Sequence, residues 1–336
     1  MAKKKEETYE KQLELVVTDL EKKFGIGSIM RMDAKPFQVD VIPTPSILLN
    51  HKLGIGGFPL GRICEIYGQE MSGKTTLSIG LMIQAQIAYP NKDVAIIDAE
   101  HAFDTDYAES MGLDLTRVWI SQPGSAEEAL DIVQRLLESC AFSIVVVDST
   151  AALVPEAELE GDFGDNFIGL QARMIGKAMR KLNGLVFKTG TNLTFISQMR
   201  ANINPMSPKK WLVTGGNAIK FFSSVRINMA IIAKINKSAN SRNHGNRVKI
   251  SVDKNKLSPP HKTCETTILY GRGIVKEIEL IELGVDLGII QKGGAWYTIN
   301  EQKFAGQDKV LAMLDSDPEF TAELEQKVLA ALEEEG

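Results

Sequence analysis

The chain has 336 residues, 44% hydrophobic and 24% charged, with a formal net charge of −5, which allows one large or two ordinary domains of a soluble globular protein. No apolar run is long enough to span a bilayer and no signal-type stretch follows MAKKKEETYE, so the expectation is a cytoplasmic protein with no membrane partner. The acidic balance excludes a surface coated in positive potential, while the scattered Cys64, Cys140 and Cys264, with no ligand-spaced histidines, speak for reduced thiols and against a structural zinc.

Residues 8–24 carry Leu13, Val16, Val17, Leu20 and Phe24 at helical spacing, and Gly25 supplies a stop. This single apolar stripe fits either the chain's own core or that of a neighbouring subunit. Lys3 to Lys5 read as a solvated tail. Pro43, Pro45, Gly54, Gly56, Gly57, Pro59 and Gly61 then mark a loop-rich approach to the first core strand, Arg62 to Tyr67.

Directly after that strand, Gly68-Gln69-Glu70-Met71-Ser72-Gly73-Lys74-Thr75 fits G-x-x-x-x-G-K-[ST] at every fixed position, and Thr76 to Ala88 reads as a helix. A strand that feeds a loop and opens a helix suits a triphosphate. The glycines let successive N–H groups turn toward one anion, and the helix N-terminus adds the positive end of its dipole. Lys74 is placed to reach the outer phosphates and the Thr75 hydroxyl to ligate magnesium, so ATP and Mg2+ are the expected cofactors.

Apolar runs and helical segments then alternate: strand Val94–Glu100, helix Ser125–Ser139, strand Ser143–Ser149, helix Leu170–Val186 and strand Asn192–Gln198. Continuous apolar strands between helices imply an α/β fold with a parallel sheet covered on both faces, whose ligands sit at the carboxyl ends of the strands. Glu100, Asp148 and Gln198, each expected to close its strand, should therefore converge on the phosphate loop. Asp148 reads as the second magnesium-side acid, its plain alternative being a helix cap. Glu100 reads as the base that orients the attacking water, with Asp98 as its rival two residues earlier. Gln198 fits either a neutral sensor of the γ-phosphate or an ordinary surface amide.

Arg173, Lys177, Arg180 and Lys181 form one basic face of the helix from Leu170, with no acid between Gln171 and Lys181. Arg200 to Gly216 holds Pro205, Pro208, Gly215 and Gly216 without strand or helix pattern, and reads as a long functional loop. From Ser197 to Lys220 the chain has Arg200, Lys209, Lys210, Lys220 and Trp211 and again no acid. Basic residues with an aromatic beside an ATP site suit single-stranded nucleic acid, against the simpler reading of a solvated charged face. The acidic stretch Glu156 to Asp165 offers phosphates nothing. Val225–Ile235, Arg247–Val252 and Thr263–Tyr270 look like antiparallel additions to the sheet. From about Val275 come short helices, a Gly293-Gly294 turn with Trp296 and Tyr297, and a final helix capped by Asp317 with Pro318 at its first position.

These segments together resemble the bacterial RecA recombinase family over nearly the whole chain. The matching runs include FGIGSIMRM, EIYGQEMSGKTTL, IIDAEHAFD, VVVDSTAALVP, ELEGDFGDNFIGLQARMIGKAMRKL, ISQMR, TGGNAIKFFSSVR, RVKISVDKNK, ILYGRGI and GAWY. The resemblance implies an N-terminal oligomerisation helix and link (1–33), a P-loop ATPase and DNA-binding core with a mostly parallel sheet (34–274), and a small α+β C-terminal domain (275–336). It implies helical filaments on single-stranded DNA, pairing with homologous double-stranded DNA and strand exchange. Carried over by motif, Gly68 to Thr75, with Thr76 behind them, would hold the phosphates, and Asp104 and Tyr107 would approach the adenine. Glu100 would be the catalytic carboxylate, Asp148 would serve magnesium, and Gln198 would link nucleotide state to the second DNA loop. Arg173, Arg180, Arg200, Gly215, Gly216 and Asn217, with Gly176 on the same DNA-facing helix, fall where the family touches DNA. Lys254 and Lys256 match the pair that reaches the neighbouring protomer's ATP, which puts the active site at a subunit interface.

Several positions depart from the family's pattern. Gln69 and Met71 stand where Pro and Ser are usual, Ser197 replaces the usual Asn beside Gln198, Gly176 replaces a Ser, and Ser207, Lys209, Lys210 and Trp211 are unusual in the second DNA loop. The chain stops at Leu332-Glu333-Glu334-Glu335-Gly336 rather than in a long acidic tail, for which the resemblance implies weaker self-inhibition. Two other readings fit the same core: a ring-shaped helicase motor, and a nucleotide-regulated structural filament.

Overall fold

The computed structural model describes residues 2–25, 28–29, 39–162, 164–167, 169–202, 210–236 and 243–335. It divides into two compact units, 1–39 and 40–336. Among its described residues the first holds one helix, Ala2–Phe24, longer at its start than the apolar spacing predicts. Of its apolar stripe, Val16 and Phe24 are 55% and 65% exposed, while Leu13, Val17 and Leu20 are partly exposed. The FGIGSIMRM run lies mostly outside the described residues.

Apolar runs build the second unit. Strands Ile63–Gly68, Asp93–Asp98, Val118–Ser121, Phe142–Asp148, Asn192–Ala201 and Val225–Asn236 pair in parallel, and Asn243–Asn255, Thr263–Leu269 and Gly273–Ile274 extend the sheet antiparallel beyond Val225–Asn236. Side chains alternate with period two, so each strand feeds two cores. Ile66, Ile96, Ile144 and Val146 pack with Leu77, Leu81 and Met82 of the helix Lys74–Ala88. Val145, Val147 and Phe195 pack on the other face with Val133 and Leu137 of the helix Ala126–Glu138 and Ile175, Met179 and Val186 of the helix Leu170–Thr189. Each fully buried side chain of this size contributes about 1.5–3 kcal/mol of transfer free energy. Cys64 and Cys264 are buried free thiols and Cys140 is an exposed one.

Three expectations are corrected. Val225–Asn236, expected among the antiparallel additions, pairs in parallel with Ile63–Gly68 and is antiparallel only to Asn243–Asn255, so the parallel sheet is one strand wider than the alternation of apolar runs and helices indicates. The strand expected to end on Glu100 stops at Asp98, and Glu100 lies in the following turn. The stretch from Arg200, expected to lack pattern, begins as a hairpin: Asn192–Ala201 runs on past Gln198, and Trp211–Val213 pairs back with it, Arg200 opposite Leu212. Residues 203–209 between the two arms, which include Pro205, Ser207, Pro208 and Lys209, lie outside the described residues.

At the C-terminal end, a three-stranded antiparallel sheet, Gln291–Gly293, Trp296–Ile299 and Gln302–Ala305, packs with helices Lys276–Asp286, Gln307–Ser316 and Pro318–Glu335. Leu280, Tyr297, Val310, Leu314 and Val328 form its own core, which Ile47, the first residue of the helix Ile47–Leu53, joins. Asp317 caps the last helix as expected, its Oδ1 accepting from the Phe320 N–H at 3.0 Å. Glu279 sews this part to the rest: its carboxylate, fully buried, accepts from the Leu48 N–H at 3.1 Å and from the Thr266 hydroxyl. No helix among the described residues is long and apolar enough to cross a membrane.

Candidate active site

Gly68 ends its strand where a Cβ would lie 2.3 Å from the Met229 carbonyl oxygen, and Gly73 turns at φ +89° with no room beside Ile268. Gly68 is therefore required by close approach to backbone, and Gly73 by its left-handed conformation. The helix Lys74–Ala88 begins with no side-chain cap, which leaves its first N–H groups aimed into the loop. Lys74 is 8% exposed, and its ammonium donates to the Gln69 carbonyl at 2.8 Å across the mouth of that loop. Burial lowers its pKa, against the pull of Asp148, Glu100 and Glu70. Among the described residues the Ser72 hydroxyl is buried without a hydrogen-bond partner. Met71, by contrast, is 80% exposed, so its side chain stands outside the cradle.

The strand-end acids take distinct positions. Asp148 accepts from the Thr75 hydroxyl at 2.8 Å, and burial pushes its pKa up to about 6 against that bond. Glu100 is exposed; its Oε1 accepts from the Gln198 amide at 2.5 Å and from the Ser149 hydroxyl. Gln198 is thus joined to the candidate base rather than to solvent. Asp98 is 2% exposed and accepts from the Ala102 and Phe103 N–H groups at 3.1 and 3.2 Å and from Gln122 at 2.9 Å. Its oxygens hold the turn that carries Glu100, so they are engaged within the fold while Glu100 stands exposed. Asp104 caps the helix Thr105–Ser110 by accepting from the Tyr107 N–H at 2.9 Å, while the Tyr107 hydroxyl lies 3.2 Å from that of Thr76, beside the loop.

The DNA-facing candidates assemble on the Leu170–Thr189 helix and the short helix Asn217–Phe222. Arg173, Lys177, Arg180 and Lys181 are exposed opposite the buried stripe Ile175, Met179, Leu182 and Val186. Gly215 and Gly216, at φ +85° and +77°, bring the hairpin back against them: a Cβ on Gly216 would meet that of Ala172 at 3.1 Å. Gly176 faces Ala218 with ordinary space for a Cβ, so no close approach demands glycine there. Asn217 and Arg200 are exposed, and Trp211 is 43% exposed. Lys254 donates to the carbonyls of Lys220 and Phe221 at 2.7 and 2.9 Å, and Lys256 to Phe221 at 3.5 Å, so within one chain both lysines sit on the C-terminal end of Asn217–Phe222. Burial, then the charges of Lys256 and Arg226, brings Lys254 down to about 8.

Sequence reasoning passed over Ser149, Thr150 and Thr214, three hydroxyl residues among these groups. For Ser149 and Thr150 the run Asp-Ser-Thr after a buried strand was the trace, and it reads equally as a turn; for Thr214 it was the Gly-Gly pair that follows it.

The uncapped helix start, the unbonded Ser72 hydroxyl and the glycines with no room for a side chain fit a triphosphate in the loop. Among the described residues no cluster of three or more His, Cys, Asp or Glu could hold an ion alone. One hydroxyl and one carboxylate are what the protein supplies where phosphates and waters complete the shell of magnesium, and Thr75 with Asp148 fits that share.

A parallel sheet in which one strand runs into a Gly-Lys-Thr loop and another, separated from it by the single strand Asn192–Ala201, ends in Asp148 defines the P-loop class of α/β nucleotide-binding folds. The comparisons narrow the class. The family model of the RecA N-terminal domain matches residues 11–275 and that of the RecA C-terminal domain residues 278–333. The chain is 48% identical to the protein RecA of Bacteroides thetaiotaomicron over 96% of this chain and 97% of that one. It is also 48% identical to that of Cytophaga hutchinsonii over 95% and 89%, and 46% identical to that of Chlorobaculum tepidum over 95% and 92%. The chain belongs to the RecA family, and its function is homologous recombination in DNA repair.

Proposed function

We propose that the protein is a DNA-dependent ATPase of the cytoplasm that forms helical filaments of its own copies on single-stranded DNA and exchanges strands with homologous double-stranded DNA. The observation that carries this reading is the bond from Gln198 to Glu100, because Gln198 opens the hairpin that leads to Gly215, Gly216 and Asn217. ATP occupies the loop Gly68 to Thr75, where Thr75 and Asp148 would hold a magnesium ion whose charge would offset that of the phosphates. Lys74 leaves the Gln69 carbonyl for the outer phosphates. Glu100, held by Ser149 and Gln198, orients a water toward the γ-phosphate and takes its proton. Arg173, Arg180 and Arg200, with the backbone at Gly215 and Gly216, grip the DNA phosphates. Lys254 and Lys256 serve the ATP of an adjoining copy, so that full turnover needs assembly.

The test measures phosphate release with and without single-stranded DNA. Wild-type turnover rises with DNA, and Glu100→Gln loses at least about 100-fold while still assembling with ATP. Full turnover by that variant would remove Glu100 from the role of base.

A further inference from the structure

Thr150 is fully buried one residue beyond Ser149, with its own backbone held: its N–H donates to the Ile196 carbonyl at 2.9 Å, and its carbonyl accepts from Gln171 at 3.0 Å. Its hydroxyl donates to that of Ser197, also fully buried, at 3.1 Å, and lies 3.5 Å from that of Thr214. Thr214 in turn holds Gln198 on both sides, donating its N–H to the Gln198 carbonyl at 2.9 Å and accepting the Gln198 N–H on Oγ1 at 3.2 Å. A Cβ on Gly215 would lie 2.9 Å from Thr150 Oγ1, so the DNA-facing turn rests directly on this side chain. On its other side, Ser149 donates to Glu100.

We infer that Thr150 is a positioning residue that links the setting of Glu100 to the setting of the Gly215–Gly216 turn. The turn cannot advance on Thr150 without moving it, since the glycine has no side chain to yield. Thr150 cannot move without straining the bond to Ser197 and the peptide that carries Ser149. Ser197 stands where the family usually has Asn, and its short hydroxyl is the acceptor that a threonine at 150 reaches. The link touches neither nucleotide nor DNA; its effect is on the coupling between them.

This inference rests on the ATPase reading, and the experiment separates the two. Steady-state phosphate release is measured against ATP and against single-stranded DNA for wild type, Thr150→Val, Thr150→Ser and Ser197→Ala. Thr150→Val keeps basal turnover and KM for ATP within about twofold of wild type, but its stimulation by DNA falls by about fivefold or more, within the usual range of coupling between sites. The gain in DNA affinity on adding a non-hydrolysable ATP analogue also shrinks in that variant, and reciprocity requires the gain in analogue affinity on adding DNA to shrink by the same factor as that gain. Thr150→Ser retains the coupling and Ser197→Ala loses it as Thr150→Val does. A residue that merely fills the core would lower the melting temperature and leave the stimulation ratio unchanged. Stimulation equal to wild type in Thr150→Val overturns the role; should that variant not fold, undiminished stimulation in Ser197→Ala overturns it instead. Wild type that releases no phosphate, with or without DNA, overturns the ATPase reading itself.

Discussion

Asp98 and Glu100 differ in what their oxygens are already doing. Asp98 satisfies two backbone N–H groups and the Gln122 amide in a buried site, whereas Glu100 takes side-chain donors at an exposed turn. Asp98→Asn presents a donor where an acceptor is needed and should cost on the order of 1–3 kcal/mol, read as a lower melting temperature, while the folded fraction keeps its turnover per molecule. Glu100→Gln should behave in the opposite way, with melting near wild type and turnover lost. If Asp98→Asn abolished phosphate release without moving the melting temperature, the assignment of the base would have to be exchanged. The same inspection applies to Lys74, whose ammonium rests on the Gln69 carbonyl. Lys74→Ala should lose ATP binding while leaving the fold intact, checked by titration with a fluorescent ATP analogue and by circular dichroism.

Strands that meet across the sheet carry a second polar layer, and here the partners lie far apart in sequence. Arg226 of Val225–Asn236 pairs with Glu65 of Ile63–Gly68, their side chains only 7% and 2% exposed, and its guanidinium stacks 4.5 Å from the Tyr67 ring centroid. Tyr67 donates to Asp253, and burial raises its pKa. Arg226→Met would leave Glu65 charged and unpaired, a loss of about 3–5 kcal/mol in urea unfolding, and adding Glu65→Met should recover most of it. Equal instability of the double and single variants would show that the pair matters for packing rather than charge. Nothing in the runs RICEIY or SSVRIN announces this pair, because a charge embedded in a strand does not say which distant strand brings its partner. By contrast, the phosphate loop, the parallel strands and the Asp317 cap were legible, since each rests on residues within a few positions of one another. The hairpin at Arg200 was not, for its arms Met199–Ala201 and Trp211–Val213 are three residues each and recognise one another only across the turn. Glu100 was legible beside the phosphate-loop helix but not as lying past a strand end, because Asp98 diverts the chain into a turn that apolar counting cannot register.

The whole molecule holds a charge whose state should follow assembly. Lys254, half-buried beside Lys256, Arg226 and Lys220 with Glu65 in opposition, has its pKa brought down to about 8, below the roughly 10.4 of a free lysine. Between those values the unfolded chain binds a proton that the folded chain releases, so this lysine makes the free subunit more stable as pH rises through that window. Assembly acts the other way. In the proposed filament Lys254 turns from the carbonyls of Lys220 and Phe221 to the triphosphate of an adjoining copy, and the anion raises its affinity for the proton. Assembly with a non-hydrolysable ATP analogue therefore takes up a proton above about pH 8, and its midpoint concentration should climb with pH there, up to about tenfold per unit for a single proton. Light scattering against protein concentration at several pH values measures it. Lys254→Arg carries a charge that does not titrate in this range and should flatten the profile, even if the longer guanidinium weakens assembly at every pH. A profile equally steep in Lys254→Arg would assign the proton to another group and free Lys254 from the interface. Binding of single-stranded DNA by the assembled form should weaken with salt at all these pH values, because the phosphate contacts of Arg173, Arg180 and Arg200 release counterions whatever the state of Lys254.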